Sequence, residues 1–319
     1  GLSWPYSALG VVQMNKQEYQ QAIVSFLAAL RISPDDYQSY VGLGESYHNS
    51  GRYNSASRTF NYALEPHEDG KMKITGETWF AKYMLSNVHR ELGEYQEATV
   101  GLQGVLKDRP DEFGVLVSLL QTHVEHAWHC VEKGLYGQAI DNCNHAIDTA
   151  TKVARNNPQA FNLWKSVGDA CVTFSWVLSG TDKFPSNEIR SLLDGEGQDD
   201  ALFQLSDIDG IRSSAFADKQ ENGHAAESSL PLPLVAGVLS YKRAIFSSSH
   251  DIHAQAVAWY NLGWAEHRAF SLSDGKSGKK YLKAAVRCFK RAIEMEAGNA
   301  EFWNALGVVT TTLNPQVAQ

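Results

Sequence analysis

The sequence has little cysteine and no mark of secretion. Its four cysteines are far apart, form no C-x-x-C pair, and are accompanied by no N-x-S/T glycosylation sequon. These absences are typical of a protein in a reducing, intracellular compartment. No run of about eighteen apolar residues is present, so the sequence predicts no membrane-spanning helix. Residues 1–6 show neither the charged nor the apolar region of a secretory signal.

The sequence also lacks an excess of basic residues. It has 28 Lys and Arg against 36 Asp and Glu, for a net charge of −8. Because phosphate binding needs clustered Lys and Arg, this balance argues against a broad nucleic-acid surface. The basic residues are densest in 276–283 and 287–291, and an RNA-contacting arm there is our third hypothesis for function. A content of 43 % hydrophobic and 20 % charged residues predicts a folded chain.

No catalytic motif is present. The sequence contains no G-x-S-x-G, no H-E-x-x-H and no paired-carboxylate arrangement. Gly275-Lys276-Ser277 is similar to the end of a phosphate-binding loop. The first glycine of that motif would fall at Phe270, however, and the segment follows a predicted helix rather than a strand. The sequence therefore predicts no enzymatic activity, no catalytic residue and no bound cofactor.

Three histidines are close together on one predicted helix, at His123, His126 and His129, with Cys130 beside them. A zinc site needs four convergent ligands. A spacing of three residues turns successive side chains around the helix, so all three cannot easily face one ion. His123 also takes the position of a signature tyrosine in the repeat described below. We therefore predict no metal site.

Two further patterns fall short of a metal motif. Asp207-x-Asp209-Gly210 lacks the third acidic ligand and the closing glutamate of a calcium loop, and we interpret it as a turn. Glu45-x-x-His48 has half of a di-iron motif without the other half or the additional carboxylates. We interpret His48 as a groove residue on an inner helix.

Internal repetition decides the fold. A tetratricopeptide repeat has about 34 residues, with W-x2-L-G-x2-Y, then A-x3-F, then Pro. The glycine and the later alanine lie where two helices cross, because larger side chains would push the helices apart. Later repeats restart at Trp164, Trp259 and Trp303. The second repeat carries Tyr40, Leu43-Gly44, Tyr47, Gly51, Tyr53, Ala56, Phe60 and Ala63.

The repeat predicts an all-α tetratricopeptide solenoid, a right-handed superhelix of helix pairs. Its aromatic residues are expected to fill the wedges between successive pairs. The predicted pairs are 3–15 with 18–31, 37–50 with 53–64, 77–92 with 95–107, 112–133 with 136–157, 159–180 with 232–249 and 253–272 with 277–295, followed by a single helix at 299–312.

The array is irregular in its second half. Seven extra residues between His123 and Gly134 lengthen the first helix of repeat four by about two turns. Seven more residues before Trp164 lengthen its second helix or its exit. We predict repeats one to four and the first helix of repeat five in 1–180, a polar, flexible insertion in 181–233, and the remainder of repeat five, repeat six and the first helix of repeat seven in 234–319. Because this last helix has no predicted partner, we expect the chain to be a fragment of a longer array.

A fourth insertion, of about ten residues, falls in repeat six and contains Ser-Asp-Gly-Lys-Ser-Gly at 273–278. Three of the four insertions fall between the two helices of a repeat. They are therefore expected to emerge along one edge of the array, which is a hypothesis for the site of partner contact. Tolerated surface loops are the alternative. Within the long insertion, 201–211 has apolar residues in polar surroundings. It either packs as a short amphipathic segment in a groove, its own or a partner's, or serves as a linker.

The inner faces of the first helices supply the candidate groove contacts. Such side chains are either partner contacts or merely solvated. The carboxylate clamp of tetratricopeptide co-chaperones needs Lys and Asn at positions that here carry Ser7 and Val11. By their position in the repeat, the candidates are Met14, Asn15, Glu45, His48, Asn49, Asn87, Arg90 and Glu91.

Three strings in the second half follow one another at irregular spacing. They are Leu163-Trp-Lys-Ser-Val-Gly-Asp-Ala-Cys171, Trp259-Tyr-Asn-Leu-Gly263 and Phe302-Trp-Asn-Ala-Leu-Gly-Val-Val309. With the lengthened repeat four and the interrupted repeat five, this order resembles the tetratricopeptide scaffold subunit of the Ski (superkiller) complex. The resemblance covers the chain from about repeat two to its end, apart from the insertion 181–233.

The resemblance implies a non-catalytic scaffold in the cytoplasm. In that family the scaffold holds a DExH RNA helicase and WD-repeat subunits, and the complex feeds mRNA into the RNA exosome for 3′-to-5′ decay. It implies protein partners, no membrane, and no direct nucleic-acid binding by this stretch. The alternative is a general tetratricopeptide adaptor or co-chaperone that binds a linear peptide motif in its groove.

Overall fold

A computed structural model describes residues 2–65, 72, 74–177, 180–194, 203–212 and 230–313. The regular elements of these residues are all helical. None of the described helices combines the length and the apolarity needed to cross a lipid bilayer. The helices are α1 Trp4–Asn15, α2 Tyr19–Ile32, α3 Tyr37–Asn49, α4 Tyr53–Leu64, α5 Trp79–Glu91, α6 Tyr95–Asp108, α7 Phe113–Glu132, α8 Tyr136–Asn156, α9 Phe161–Phe174, α10 Ser186–Leu193, α11 Phe203–Asp209, α12 Leu232–Ser247, α13 Ile252–Ser271, α14 Lys279–Met295 and α15 Ala300–Leu313, with a 3₁₀ turn at Thr181–Lys183.

The chain forms two compact bodies, Gly1–Thr122 and His123–Gln319. In the N-terminal body α1 packs with α2, α3 with α4, and α5 with α6, and each second helix also packs on the next first helix. In the C-terminal body α9 pairs with α12 across the insertion, α13 pairs with α14, and α15 packs on α14. The predicted fold class, an all-α tetratricopeptide solenoid, is confirmed.

A left-handed residue ends the first helix of each regular repeat. Gly51, Gly93 and Gly134 have φ values of 76°, 78° and 72°. Only glycine adopts this conformation without a steric penalty, so it is well suited to the turn. In repeat one the same conformation is taken by Gln17, at φ 63°. In each case the following residue donates its backbone N–H to a carbonyl five residues back, as Arg52 does to Tyr47 at 2.8 Å.

An aromatic ring packed on a glycine holds several of the helix pairs together. Phe60 on α4 lies against Gly44 on α3, where an added Cβ would come within 2.7 Å of the ring. Phe289 on α14 lies against Gly263 on α13 in the same way, at 2.6 Å. Both phenylalanines are fully buried. The repeat therefore needs glycine at these crossings because the ring occupies the space of a side chain.

Helix lengths confirm one irregularity and correct another. The helices α7 and α8 have 20 and 21 residues, as the extra residues of repeat four predict. Helix α9 ends at Phe174 rather than at 180. Its end is a tight turn in which Ser175, Trp176 and Val177 each donate to the carbonyl three residues back, at 3.0–3.1 Å. This closer bonding pattern tightens the last turn and stops the α-helix.

The insertion contributes helices to the C-terminal body. Helix α10 packs on α8 and α12, and α11 packs on α14. The apolar side chains that make these contacts, Ile189, Leu193, Leu205 and Ile211, are all buried. The described part of 201–211 therefore packs in a groove formed by the chain's own helices. Residues 201 and 202 of that segment lie outside the described residues.

Candidate functional site

The candidate contacts concentrate on one side of the N-terminal body, on α3 and α5. Glu45 and His48 lie on α3, and Asn87, Arg90 and Glu91 lie on α5, in matching positions of two consecutive repeats. The two helices contact each other directly. We call these five residues, together with Tyr53, the α3/α5 face.

Tyr53, at the start of α4, joins the two halves of this face. Its ring meets the ring of His48 edge-on, with 5.7 Å between the centroids. On the other side it interacts with Glu91. The pKa of Tyr53 is raised, first by burial and then by the charge and hydrogen bond of Glu91, while the charge of Arg90 lowers it. In the sequence, Tyr53 was recognisable only as a signature aromatic of the repeat. Its position two residues after the loop glycine Gly51 is the signal that could have indicated its place beside His48.

Two polar side chains of the α3/α5 face are buried rather than solvated. Asn87 is 6 % exposed and Arg90 is 9 % exposed. Arg90 reaches Glu91, with 3.2 Å from Nη2 to Oε1. Among the described residues, the Oδ1 atom of Asn87 and the buried Nε2 atom of His48 have no hydrogen-bond partner. A buried polar atom without a partner typically costs about 1–3 kcal/mol, so each atom lowers the stability of the free chain.

Glu45 and Asn49 complete the polar surroundings of His48. Asn49 is exposed, and its Oδ1 atom lies 3.2 Å from Nδ1 of His48. Glu45 is half-buried, and burial raises the pKa of its carboxyl group. The face thus offers carboxylates, an amide and an imidazole in one place, which suits hydrogen bonding to another protein's backbone and side chains.

Met14 and Asn15 belong to a different environment on α1. Met14 packs against the core cluster formed by Ala22, Ile23, Phe26, Leu30 and Leu43. Asn15 is exposed. The structure therefore places Met14 as a packing residue and does not show it gathered with the α3/α5 face.

His123 of repeat four is part of the core, while His126 and His129 are half-buried. His123 lies beside His145, with 5.4 Å between ring centroids, and its Nδ1 lies 3.4 Å from Oδ1 of Asn142. The pKa of His123 is lowered to about 4, chiefly by burial; the Asn142 hydrogen bond raises it, and the charges of His145 and His126 lower it. Across the described residues, no three His, Cys, Asp or Glu side chains are grouped so that they could hold a metal ion.

A second group of buried charges lies in the C-terminal body and was not predicted. Lys242 on α12 is 5 % exposed and lies 2.8 Å from Oδ2 of Asp209, which is fully buried at the end of α11. Lys242 also donates to the carbonyl of Ile211 at 2.8 Å. Asp207 and Asp209 therefore belong to the last turn of a helix rather than to a free turn. The carboxyl of Glu266, also fully buried, interacts with Asp209, and burial followed by that charge raises its pKa well above the usual value.

The next residue along α12 holds the other helix of the insertion. Arg243 is buried and donates to the carbonyl oxygens of Leu192, at 3.0 Å, and of Leu193. These are orphan carbonyls at the end of α10, where a positive charge also meets the negative end of the helix dipole. The guanidinium lies over the ring of Trp164, 4.7 Å from its centroid. Lys242 and Arg243 thus fasten the insertion to its own chain.

The family comparison agrees with the repeat. A family model described as "Tetratricopeptide repeat" matches residues 7–71. Among solved structures, a tetratricopeptide repeat protein from Parabacteroides merdae aligns with 97 % of this chain and 98 % of its own, with a TM-score of 0.49 and 13 % sequence identity.

Curated relatives match nearly the whole chain. Superkiller protein 3 of Schizosaccharomyces pombe is 32 % identical over 96 % of this chain, which corresponds to 21 % of that protein. Superkiller protein 3 of Saccharomyces cerevisiae is 23 % identical over 99 % of this chain and 21 % of its own length. Superkiller complex protein 3 of Homo sapiens is 24 % identical over 96 % of this chain and 17 % of its own length. The chain thus spans about a fifth of these relatives. It is a tetratricopeptide repeat chain and a homologue of one stretch of the superkiller 3 proteins.

Proposed function

We propose that this chain is a non-catalytic, protein-binding segment of a Ski-type scaffold, and that the α3/α5 face is one of its docking surfaces. The observation that carries the docking surface is the group of polar side chains that α3 and α5 present around Tyr53, in which Asn49 and Glu91 are exposed and Glu45 and His48 are half-buried. The names of the relatives support the kind of assembly.

The proposed cellular role is support of 3′-to-5′ mRNA decay in the cytoplasm. The scaffold would hold a DExH RNA helicase and WD-repeat subunits, and the helicase would deliver mRNA to the RNA exosome. The net charge of −8 supports contacts with proteins rather than with RNA. The helicase supplies the ATP-driven step, so this chain needs only to position its partners.

The test is the composition of the complex that the full-length protein forms in its own cells. The tagged protein is purified and its partners are identified and quantified by mass spectrometry. We expect a helicase and WD-repeat proteins in stoichiometric amounts. Recovery of chaperones, or of many unrelated clients in small amounts, would overturn the Ski-type assignment and favour a general adaptor. Salt-sensitive binding of RNA by the isolated stretch would favour the RNA-contacting arm.

Two variants then test the α3/α5 face within the same full-length protein. Asn49→Leu removes an exposed amide beside His48 at nearly constant volume, and Glu91→Lys reverses the charge beside Tyr53. We expect each to reduce recovery of at least one partner about tenfold, a loss of about 1.4 kcal/mol. The matched controls are Asn54→Leu and Asp141→Lys, which change exposed residues on second helices. Equal recovery with all four variants would remove this face from the docking surface.

A further inference from the structure

An open groove runs between α5 and α6 in repeat three. Its volume is about 880 Å³, within the range of ordinary ligand sites. Trp79, Leu85 and Val100 supply apolar walls, and Gly101 and Gly104 lie on its α6 side. Val100 is 59 % exposed, and a Cβ added to Gly104 would meet no atom within 4 Å. We call this feature the α5/α6 groove; it is distinct from the α3/α5 face, whose residues do not line it.

Repeat two shows what normally fills this space. In the register set by the loop glycines, Lys82 corresponds to Tyr40 and Gly104 corresponds to Tyr62. The rings of Tyr40 and Tyr62 pack together in repeat two, with 5.0 Å between their centroids. Repeat three has neither ring, and both replacing residues line the groove. The groove is therefore the space of a missing aromatic pair.

The charges around the groove indicate which residues should flank an aromatic side chain that a partner inserts there. Glu97 and Asp108 line it, both are exposed, and neither makes an ion pair within the described part of the chain. The neighbouring cation Arg109 is already held by Glu77 and Glu112. Its guanidinium also lies 4.6 Å from the centroid of the Trp79 ring. The carboxylates of Glu97 and Asp108 are thus available to basic groups on a partner.

Lys82 provides a contact for the ring itself. It is exposed, lines the groove and takes the place of Tyr40. An ammonium group near an aromatic face is attracted by the ring quadrupole, by about 0.5–1 kcal/mol at exposed sites. An incoming aromatic side chain would therefore find apolar walls, a cation on the α5 side and bare backbone on the α6 side.

We propose that the α5/α6 groove binds an extended segment of a protein partner that inserts one aromatic side chain and directs Lys or Arg toward Glu97 and Asp108. This rests on the proposed function, that the chain binds proteins. Glu97 and Asp108 are eleven residues apart on one helix, about 16 Å. An extended chain rises about 3.3 Å per residue and its side chains alternate between two sides. Two basic residues four positions apart, about 13 Å, therefore face the same side as an aromatic residue midway between them, and their long side chains span the remaining distance.

The experiment uses fluorescein-labelled Lys-Ala-Tyr-Ala-Lys as the probe and the 319-residue chain as the receptor. Fluorescence anisotropy is expected to show saturable binding with a Kd of roughly 10–100 µM. Gly104→Tyr restores the ring of repeat two and should weaken binding at least tenfold. Gly137→Tyr is the matched control, because Gly137 is exposed on α8 and its Cβ would also meet no neighbour. Urea unfolding confirms that both variants are folded.

Changes in the probe test the same contacts without altering the fold of the chain. Replacing its tyrosine by alanine should weaken binding to the unaltered chain at least tenfold, and replacing both lysines by glutamate should do the same. Glu97→Lys in the chain should weaken binding about threefold, and Asp141→Lys should leave it unchanged. No saturation by millimolar probe, or equal binding by the Gly104→Tyr variant, would overturn the groove proposal. A full-length Gly104→Tyr protein that still recovers its helicase and WD-repeat proteins but no longer binds the probe would leave the proposed function intact.

Discussion

The regular and the irregular repeats differ in helix length and in what their buried cations contact. In the N-terminal body the helices of repeats one to three have 12–14 residues, and the buried Arg90 pairs with Glu91 of its own helix. In the C-terminal body α8 and α13 have 21 and 20 residues. There, Lys242 and Arg243 are satisfied by helices of the insertion.

The described helices of the insertion serve the fold. The insertion edge was expected either to contact a partner or to carry tolerated surface loops, and both remain predictions. The helices α10 and α11 bury Ile189 and Leu205 against their own chain and bind its buried Lys242 and Arg243. The open polar and aromatic-lined surfaces lie on the regular repeats, where no insertion covers them.

The largest expected effect comes from breaking the buried ion pair of the insertion. Lys242→Ala leaves the carboxylate of Asp209 buried without its cation. Removing one partner of a buried pair typically costs about 3–5 kcal/mol, and we expect a loss of that size in the free energy of unfolding measured with urea. Lys276→Ala, an exposed lysine, is the control and should change it by less than about 0.5 kcal/mol.

A double variant shows whether the ion pair between Lys242 and Asp209 stabilises the chain. Lys242→Met combined with Asp209→Asn removes both charges and should cost clearly less than the sum of the single variants. If Lys242→Ala costs under about 1 kcal/mol, or if the two single effects simply add, the insertion is not held by this pair and the contrast between the bodies fails.

The next effect is the acid sensitivity of His123. Its pKa is about 4 in the folded chain against 6.5 in the unfolded chain, because burial disfavours the charged imidazolium. The unfolded chain therefore binds more protons below pH 6.5, and stability is lost as the pH falls from 6.5 to about 4. The shift corresponds to about 3 kcal/mol.

His123→Phe should remove this contribution. Urea unfolding at pH 7 and at pH 4 is compared for the variant and the unaltered chain, so that carboxylate titration cancels. His250→Phe, which changes an exposed histidine, is the control. Identical losses in the unaltered chain and in His123→Phe would show that His123 is not a buried neutral histidine.

The smallest expected effect concerns the buried amide of Asn87 in the N-terminal body. Asn87→Leu removes a buried amide oxygen without a partner and should raise the free energy of unfolding of the free chain by about 1 kcal/mol. Asn54→Leu, which changes an exposed amide, is the control and should change the free energy of unfolding by less than about 0.5 kcal/mol. A marked loss of stability would mean that Asn87 serves the fold, as the charges of the C-terminal body do.

Much of the fold could be predicted because its signals are local. Helix α2 was expected at 18–31 and occurs at Tyr19–Ile32, since a loop residue before it and Pro34 after it limit its extent. The end of α9 was missed. Residues 175–177 of the predicted helix form a tight turn instead, and no proline or loop glycine marks Phe174 as the last helical residue.

The candidate site was predicted in part. Repeat position placed Glu45, His48, Asn87, Arg90 and Glu91 on one face, because residues at equal positions of stacked repeats lie side by side. It did not reveal that Tyr53 links His48 to Glu91, since a signature tyrosine is indistinguishable from a packing residue in sequence. It also misplaced Met14, whose position on α1 turns it into the core.

The sequence by itself determined the tetratricopeptide pairing, the turns and the ring-on-glycine crossings, because each depends on residues at fixed short spacing. Only the tertiary structure decided which polar groups are satisfied. Lys242 and Asp209 are far apart in the chain and meet only after the insertion folds back. The α5/α6 groove is likewise visible only in three dimensions. It opens because repeat three has Lys82 and Gly104 where repeat two has the packed rings of Tyr40 and Tyr62.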